Sequence, residues 1–159
     1  MKDVGKLISA VILCQLAGIA GTSFTISAIP TWYATLTKPF FTPPNWLFGP
    51  VWTVLYFLMG VSLFLVWRKK VRGKQEKKKQ FAFRLFGLQL AANFLWTMLF
   101  FGLHSPLLGL IDLVLLIVLI VLTYRAFYQL SKVAAYLLIP YLLWVSFATI
   151  LNAALFSLN

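Results

Sequence analysis

The groups in this chain that could do chemistry are polar or aromatic side chains set inside apolar segments, where each costs free energy and calls for a reason. Gln89, Asn93 and then Trp96 or Thr97 recur at helical spacing and share one stripe of a helix. Trp144, Ala148 and then Leu151 or Asn152 form a second stripe, with the small Ala148 leaving space beside the indole. Trp52 and Tyr56 lie one turn apart on a third segment. If the three stripes converge, they enclose an aromatic-walled pocket with a few amide donors, suited to a flat, mostly apolar ligand with polar edges. The same residue types also hydrogen-bond neighbouring membrane helices to one another, and on spacing alone that is the commoner use.

Other constellations carry less. Asp112 stands about one turn or more inside an apolar segment, so its carboxyl must be neutral, paired or open to a water-filled cavity. A bond to a neighbouring helix and a proton-transfer step both suit it. His104, Ser105 and Asp112 include the residue types of a nucleophilic triad, but nothing in their order sets productive geometry. With one His, one Cys and three acidic residues, no metal-ligand cluster is expected. No glycine loop fit to cradle phosphate appears, and the lone Cys14 reads as a small hydrophobe.

Positioning these groups falls to helices in lipid. Hydrophobic residues make up 62% of the 159-residue chain and charged ones 11%, against roughly 45–50% and 25% in soluble domains. Five apolar segments, near 7–26, 46–67, 81–103, 107–127 and 134–156, each approach the length that crosses a bilayer. The expectation is an all-α membrane protein, one five-helix bundle over 1–159. The first segment is too long for a cleaved signal core, and its Ala17 and Gly21 allow close approach of another helix.

The formal charge of +11 comes mostly from the run 68–79. Between two apolar segments, that run reads as a cytoplasmic loop with affinity for anionic lipid head groups, not as a nucleic-acid face. Lys2, Lys6, Arg125 and Lys132 fall on the same side when the crossings number five, leaving Lys38 on the other. The N-terminus is therefore expected in the cytoplasm and Asn159 outside it. The connector after the first helix holds Pro30, Pro39, Pro43, Pro44 and Pro50, which forbid a continuous helix. It also holds Trp32, Tyr33, Phe40, Phe41, Trp46 and Phe48, so 27–45 is expected to fold over the non-cytoplasmic mouth of the bundle.

Three blocks carry a resemblance. The first is Trp32-Tyr33-x-x-Leu36-x-Lys38-Pro39-x-x-x-Pro43-Pro44-x-Trp46-x-Phe48-x-Pro50-x-Trp52-x-x-Leu55-Tyr56. The others are Gln89-Leu90-x-x-Asn93-x-x-Trp96 and Pro140-Tyr141-Leu142-x-Trp144-x-x-Phe147-Ala148-Thr149-x-Leu151-Asn152. In order and over nearly the whole chain, they resemble the translocator protein family, also called tryptophan-rich sensory proteins. The resemblance implies a five-helix bundle, usually dimeric, that binds porphyrins such as protoporphyrin IX and synthetic isoquinoline carboxamides, in transport, sensing or stress response. It implies a pocket containing Trp52, Asn93, Trp144 and Ala148 with Gln89 and Phe147 nearby, capped by a loop with Trp32, Pro43, Pro44 and Trp46.

It implies porphyrin as ligand rather than cofactor, and turns the weighting of the stripes toward a ligand site. Some members are credited with light- and oxygen-dependent porphyrin breakdown, for which Trp52 and Trp144 are the candidate residues here. A scaffold or partner subunit, with the stripes used only for packing, is the further alternative. After Asn152 the tail has no Tyr followed by Lys or Arg, so the proposed cholesterol motif is missing and cholesterol is not expected. Phe40-Phe41 stands where many relatives place a tryptophan.

Overall fold

The computed structural model describes residues 2–159. Seven helices follow in chain order: α1 (Lys2–Ala28), α2 (Trp32–Thr35), α3 (Asn45–Trp67), α4 (Lys74–Thr97), α5 (Pro106–Tyr128), α6 (Lys132–Tyr136) and α7 (Ile139–Leu158). A π-helical turn, Met98–Gly102, extends α4. Five spans are long and apolar enough to cross a membrane.

Some boundaries differ from the sequence reading, for local reasons. The helix α4 begins at Lys74 because Lys, Gln and Glu are good helix formers, so the basic run continues the helix out of the apolar layer. Pro50 lies inside α3, whose first residue is Asn45, where the ring removes one early backbone bond without ending the helix. The last crossing is not one rod: α6 stops at Tyr136, a turn follows, and Pro140 sits at the start of α7, where a missing N–H costs least. Ser105 and Ser131 cap α5 and α6 by accepting from the Leu108 and Ala134 amides, both at 3.3 Å.

Packing follows a ring: α3 lies along α1, α1 along α4, α4 along α5, and α5 along α7, while α3 meets α4 and α7 at only a few points. Glycines set the α1–α3 approach. A Cβ on Gly60 would stand 2.6 Å from the Val11 Cα, and one on Gly18 would stand 2.4 Å from the Tyr56 ring. Gly21 faces Thr97, 3.2 Å from where its own Cβ would be, so its small size is used between α1 and α4 within the chain.

At the basic end, Lys79 Nζ donates to the carbonyls of Trp67 (3.0 Å) and Lys69 (2.8 Å), and Lys69 Nζ donates to the Leu130 carbonyl. At the opposite end the 27–45 connector is fastened in three places. Trp32 stacks on His104 at 4.7 Å and meets the edge of Phe100 at 5.3 Å. Phe41 touches Phe147 at 6.4 Å. The Asn159 side chain accepts from the Thr37 amide (2.9 Å) and donates to the Thr37 carbonyl (3.1 Å). His104 reaches Trp32 from a left-handed backbone, φ 54°, in the tight turn before Pro106.

Candidate functional site

Because α3 barely meets α4 and α7, the bundle keeps a cavity of about 490 Å³, within the range of small-molecule sites. Its walls come from α1, α3, α4 with the π-helical turn, α7, and Tyr33 of the connector. Trp52 forms the aromatic centre of the wall, 5.6 Å from the Tyr56 ring and 6.1 Å from Trp96, and Trp96 stacks on Phe100 at 5.7 Å. Phe101 closes edge-on against both Trp96 and Phe100.

Asn93, itself on the wall, ties three helices together. The Tyr56 hydroxyl on α3 donates to Asn93 Oδ1 on α4, and Asn93 Nδ2 donates to the Tyr141 hydroxyl on α7 at 3.0 Å. All three are buried, and Tyr141 completely so. Asn152, also on the wall, reaches into the first turn of α5. With its amide turned so that both atoms find partners, it donates to the Pro106 carbonyl (3.1 Å) and accepts from the Leu110 amide (3.0 Å). Gly109 leaves room for it, since a Cβ there would stand 2.9 Å from the Asn152 nitrogen.

Two polar atoms on the wall have no protein partner, the Trp96 Nε1–H and the Tyr33 hydroxyl. Buried donors without acceptors are costly, so a site holding two of them is matched to something that brings acceptors. Burial also pushes the Tyr33 phenol above its ordinary value, so it stays a neutral donor through the physiological range.

The sequence candidates divide. Trp52, Asn93 and Ala148 share the cavity wall, and Trp46 stands at its rim. Trp144 and Phe147 do not line it; Trp144 packs between Phe48 (6.1 Å) and Phe147 (5.6 Å), on the α3–α7 side. Gln89 is fully buried off the wall, with neither amide atom partnered. Trp32, Pro43 and Pro44 sit in the covering connector without touching the cavity. Asp112 is buried on α5, also off the wall, with one carboxyl oxygen unpartnered.

Sequence reasoning set Trp96 on a pocket-forming stripe without carrying it into the named site, and did not choose Tyr33, Phe100 and Phe101 for the site, nor the α1 wall of Gly18, Gly21, Thr22 and Thr25. Trp96 was legible as the next member of the Gln89–Asn93 stripe. Those four α1 residues carry no amide or ring to mark them, and the one α1 amide on the wall, Gln15, was not singled out.

Comparison with known proteins adds a separate line. The TspO/MBR family model matches residues 10–158. The "Tryptophan-rich protein TspO" of Archaeoglobus fulgidus is 46% identical over 157 residues, covering 99% of each chain. The human "Translocator protein" is 40% identical over 138 residues, 87% of this chain and 80% of that one. The "Tryptophan-rich sensory protein" of Cereibacter sphaeroides is 34% identical over 142 residues, 89% of this chain and 85% of that one.

Proposed function

Because this multi-pass membrane protein belongs to the TspO/MBR family, we propose that its cavity binds porphyrins and similar flat apolar ligands. The observation that carries the reading is the pair of buried, unpartnered donors on wall residues, Trp96 Nε1–H and the Tyr33 hydroxyl, beside the rings of Trp52, Tyr56, Phe100 and Phe101. A macrocycle gains by leaving water and stacking on Trp52, while its peripheral carboxylates or carbonyls accept from the two donors. Asn93 acts within the wall, holding Tyr56 beside Trp52. In this role the tetrapyrrole is the ligand, and no further cofactor is invoked.

The test is protoporphyrin IX affinity in nanodiscs, read by quenching of intrinsic fluorescence. Trp96→Phe keeps a ring but removes the donor, and a lost hydrogen bond of about 1–1.5 kcal/mol corresponds to roughly 5–10-fold weaker binding. Trp52→Ala should weaken it by at least that much. Affinities matching wild type in both variants would remove the cavity as the porphyrin site.

A second reading has Trp52 contribute to light-dependent porphyrin breakdown with molecular oxygen as the oxidant, favoured by two further oxidisable rings beside it, Tyr56 at 5.6 Å and Trp96 at 6.1 Å. Trp144, the other candidate, is a step removed from the cavity. Bleaching of the porphyrin band that is slowed by Trp52→Phe supports this reading. Equal bleaching without protein sinks it.

The basic end is assigned to the cytoplasm, with the exposed cations of 68–79 against anionic head groups. A thiol placed by Ser157→Cys should then react with an impermeant maleimide on intact cells. Reaction only after permeabilisation reverses the orientation.

A further inference from the structure

We propose that the cavity exchanges its ligand sideways with the bilayer, through a mouth between α1 and α3, and not through the connector that covers its end. The proposal takes the binding role above as its setting, but it stands on the shape of the wall.

The wall is asymmetric. On its inner side most contributors are buried, among them Asn93, Trp96, Thr97, Phe100, Leu151 and Leu155, and Phe101 is half-buried. On the α1–α3 side Gly21 and Tyr56 are buried, but a run of lining residues is open to the surroundings. Ile19 is 61% exposed, Ile26 72% and Trp46 72%, and Thr22, Gly49 and Thr53 are exposed as well. Residues that line a cavity and also face outward mark its opening.

The depth of that opening follows from the helices. Thr22 is six residues from the end of α1 at Ala28, and Gly49 four from the start of α3 at Asn45. At 1.5 Å per residue, the mouth lies roughly 6–9 Å below the helix ends, within the apolar layer and not in water. Its lower edge is fixed where Gln15 Nε2 on α1 donates to the Thr53 carbonyl on α3 at 3.0 Å. Below that edge the helices close where Gly60 meets Val11.

The rim chemistry suits an apolar passenger. Its hydroxyls are already satisfied on their own helices, Thr22 Oγ1 donating to the Ile19 carbonyl at 2.6 Å and Thr53 Oγ1 to the Gly49 carbonyl at 2.9 Å. The threonines therefore turn no free donor toward the passage. By contrast, the end of the bundle is shut by the Trp32–His104 stack, the Phe41–Phe147 contact and the Asn159–Thr37 clasp, and none of residues 34–44 lines the cavity. A ligand dissolved among acyl chains thus meets an opening, and one arriving from water meets a cover.

Gly49 offers a clean plug, because a Cβ built on it meets nothing within 4 Å. The experiment uses the full chain in lipid vesicles, with Cys14→Ala and a reporter thiol from Ala148→Cys on the inner wall. The probe is N-phenylmaleimide, which partitions into lipid, compared with a charged, impermeant maleimide in the water. Expected is labelling by the first that falls at least tenfold on adding Gly49→Trp, and stays within about twofold on adding Asn159→Ala, which loosens the cover. Labelling that ignores Gly49→Trp, or that rises tenfold with Asn159→Ala, or that proceeds as fast with the charged reagent, overturns the lateral route. If Gly49→Trp loses its helical circular dichroism, Ile19→Trp from the opposite lip decides the matter by the same criterion.

A second measurement uses protoporphyrin IX itself: plugging should slow both association and dissociation at least several-fold, and a plug that slows neither overturns the lateral route. Wild-type protein that binds no porphyrin refutes the proposed ligand, whereas the labelling result judges the mouth by itself.

Discussion

Asn93→Ala separates the two uses to which a buried amide on a membrane helix can be put. The side chain accepts from Tyr56 and donates to Tyr141, so its removal strands two hydroxyls that are 7% and 0% exposed. Hydrogen bonds between membrane helices average about 0.6 kcal/mol each and reach about 1.7, so losing two should cost roughly 1–3 kcal/mol. The assay is reversible unfolding in mixed micelles with rising dodecyl sulfate, followed by helical circular dichroism and carried out without ligand.

The decisive comparison is the cycle with Tyr141→Phe, which removes the Asn93–Tyr141 partner by itself. If the bridge is real, the double variant should cost less than the sum of the singles by about 0.5–1.5 kcal/mol, as for other contacting pairs. Strict additivity, or an Asn93→Ala cost below about 0.3 kcal/mol, would show that the Tyr56–Asn93–Tyr141 chain does not hold the three helices. Any loss of porphyrin affinity in this variant would then have to come from direct contact.

Three further outcomes are expected. Gly60→Ala should destabilise by about 1–3 kcal/mol in the same unfolding assay despite the better helix propensity of alanine, because the new methyl meets the Val11 backbone, which cannot step aside. Asn159→Ala should speed hydrogen exchange of the Thr37 amide at least several-fold, since that amide donates to the Asn159 side-chain Oδ1, and leave the bundle amides unchanged. For Tyr33, the folded phenol titrates above its unfolded value, so its contribution is fully present below the unfolded pKa and is lost as pH rises through the higher folded one. Stability compared between wild type and Tyr33→Phe should therefore be parallel at neutral pH and diverge only above roughly pH 10, with wild type falling faster.

The five crossings were legible because lipid demands about twenty apolar residues per helix, a requirement that hydropathy registers directly. The break between α6 and α7 was not, since Leu137 and Leu138 are as apolar as the helices they separate and only Pro140 hints at a restart. The aromatic wall was partly legible through Trp52 and Asn93. Trp144 has the same composition signal, yet packs against Phe48 and Phe147 beside the cavity. In a soluble helix the polar face would tell inside from outside. Here lipid, core and cavity are all apolar, so period alone cannot say which way an indole turns. For the same reason the α1 wall was invisible: Gly18, Gly21 and Thr22 read as packing residues, and α1 lacks any aromatic in that stretch except Phe24.

The grip of Asn152 on the opening turn of α5 has a mechanical consequence. An amide lodged in another helix's backbone ladder, with Gly109 giving it no slack, makes α5 and α7 behave as one welded plate, to which the long α4–α5 seam adds a third member. α3 is tied to the rest by the Asn93 bridge and, toward the basic end, by Ser62 Oγ donating to the Ala134 carbonyl at 2.6 Å and Lys79 Nζ to the Trp67 carbonyl at 3.0 Å, while nearer the connector no hydrogen bond among the described residues joins it to the plate. Volume changes in the hollow must then be taken up by the pair α1–α3 swinging as a leaf against a fixed frame, so spin labels across α1 and α5 should report broad distance distributions where labels across α5 and α7 report narrow ones.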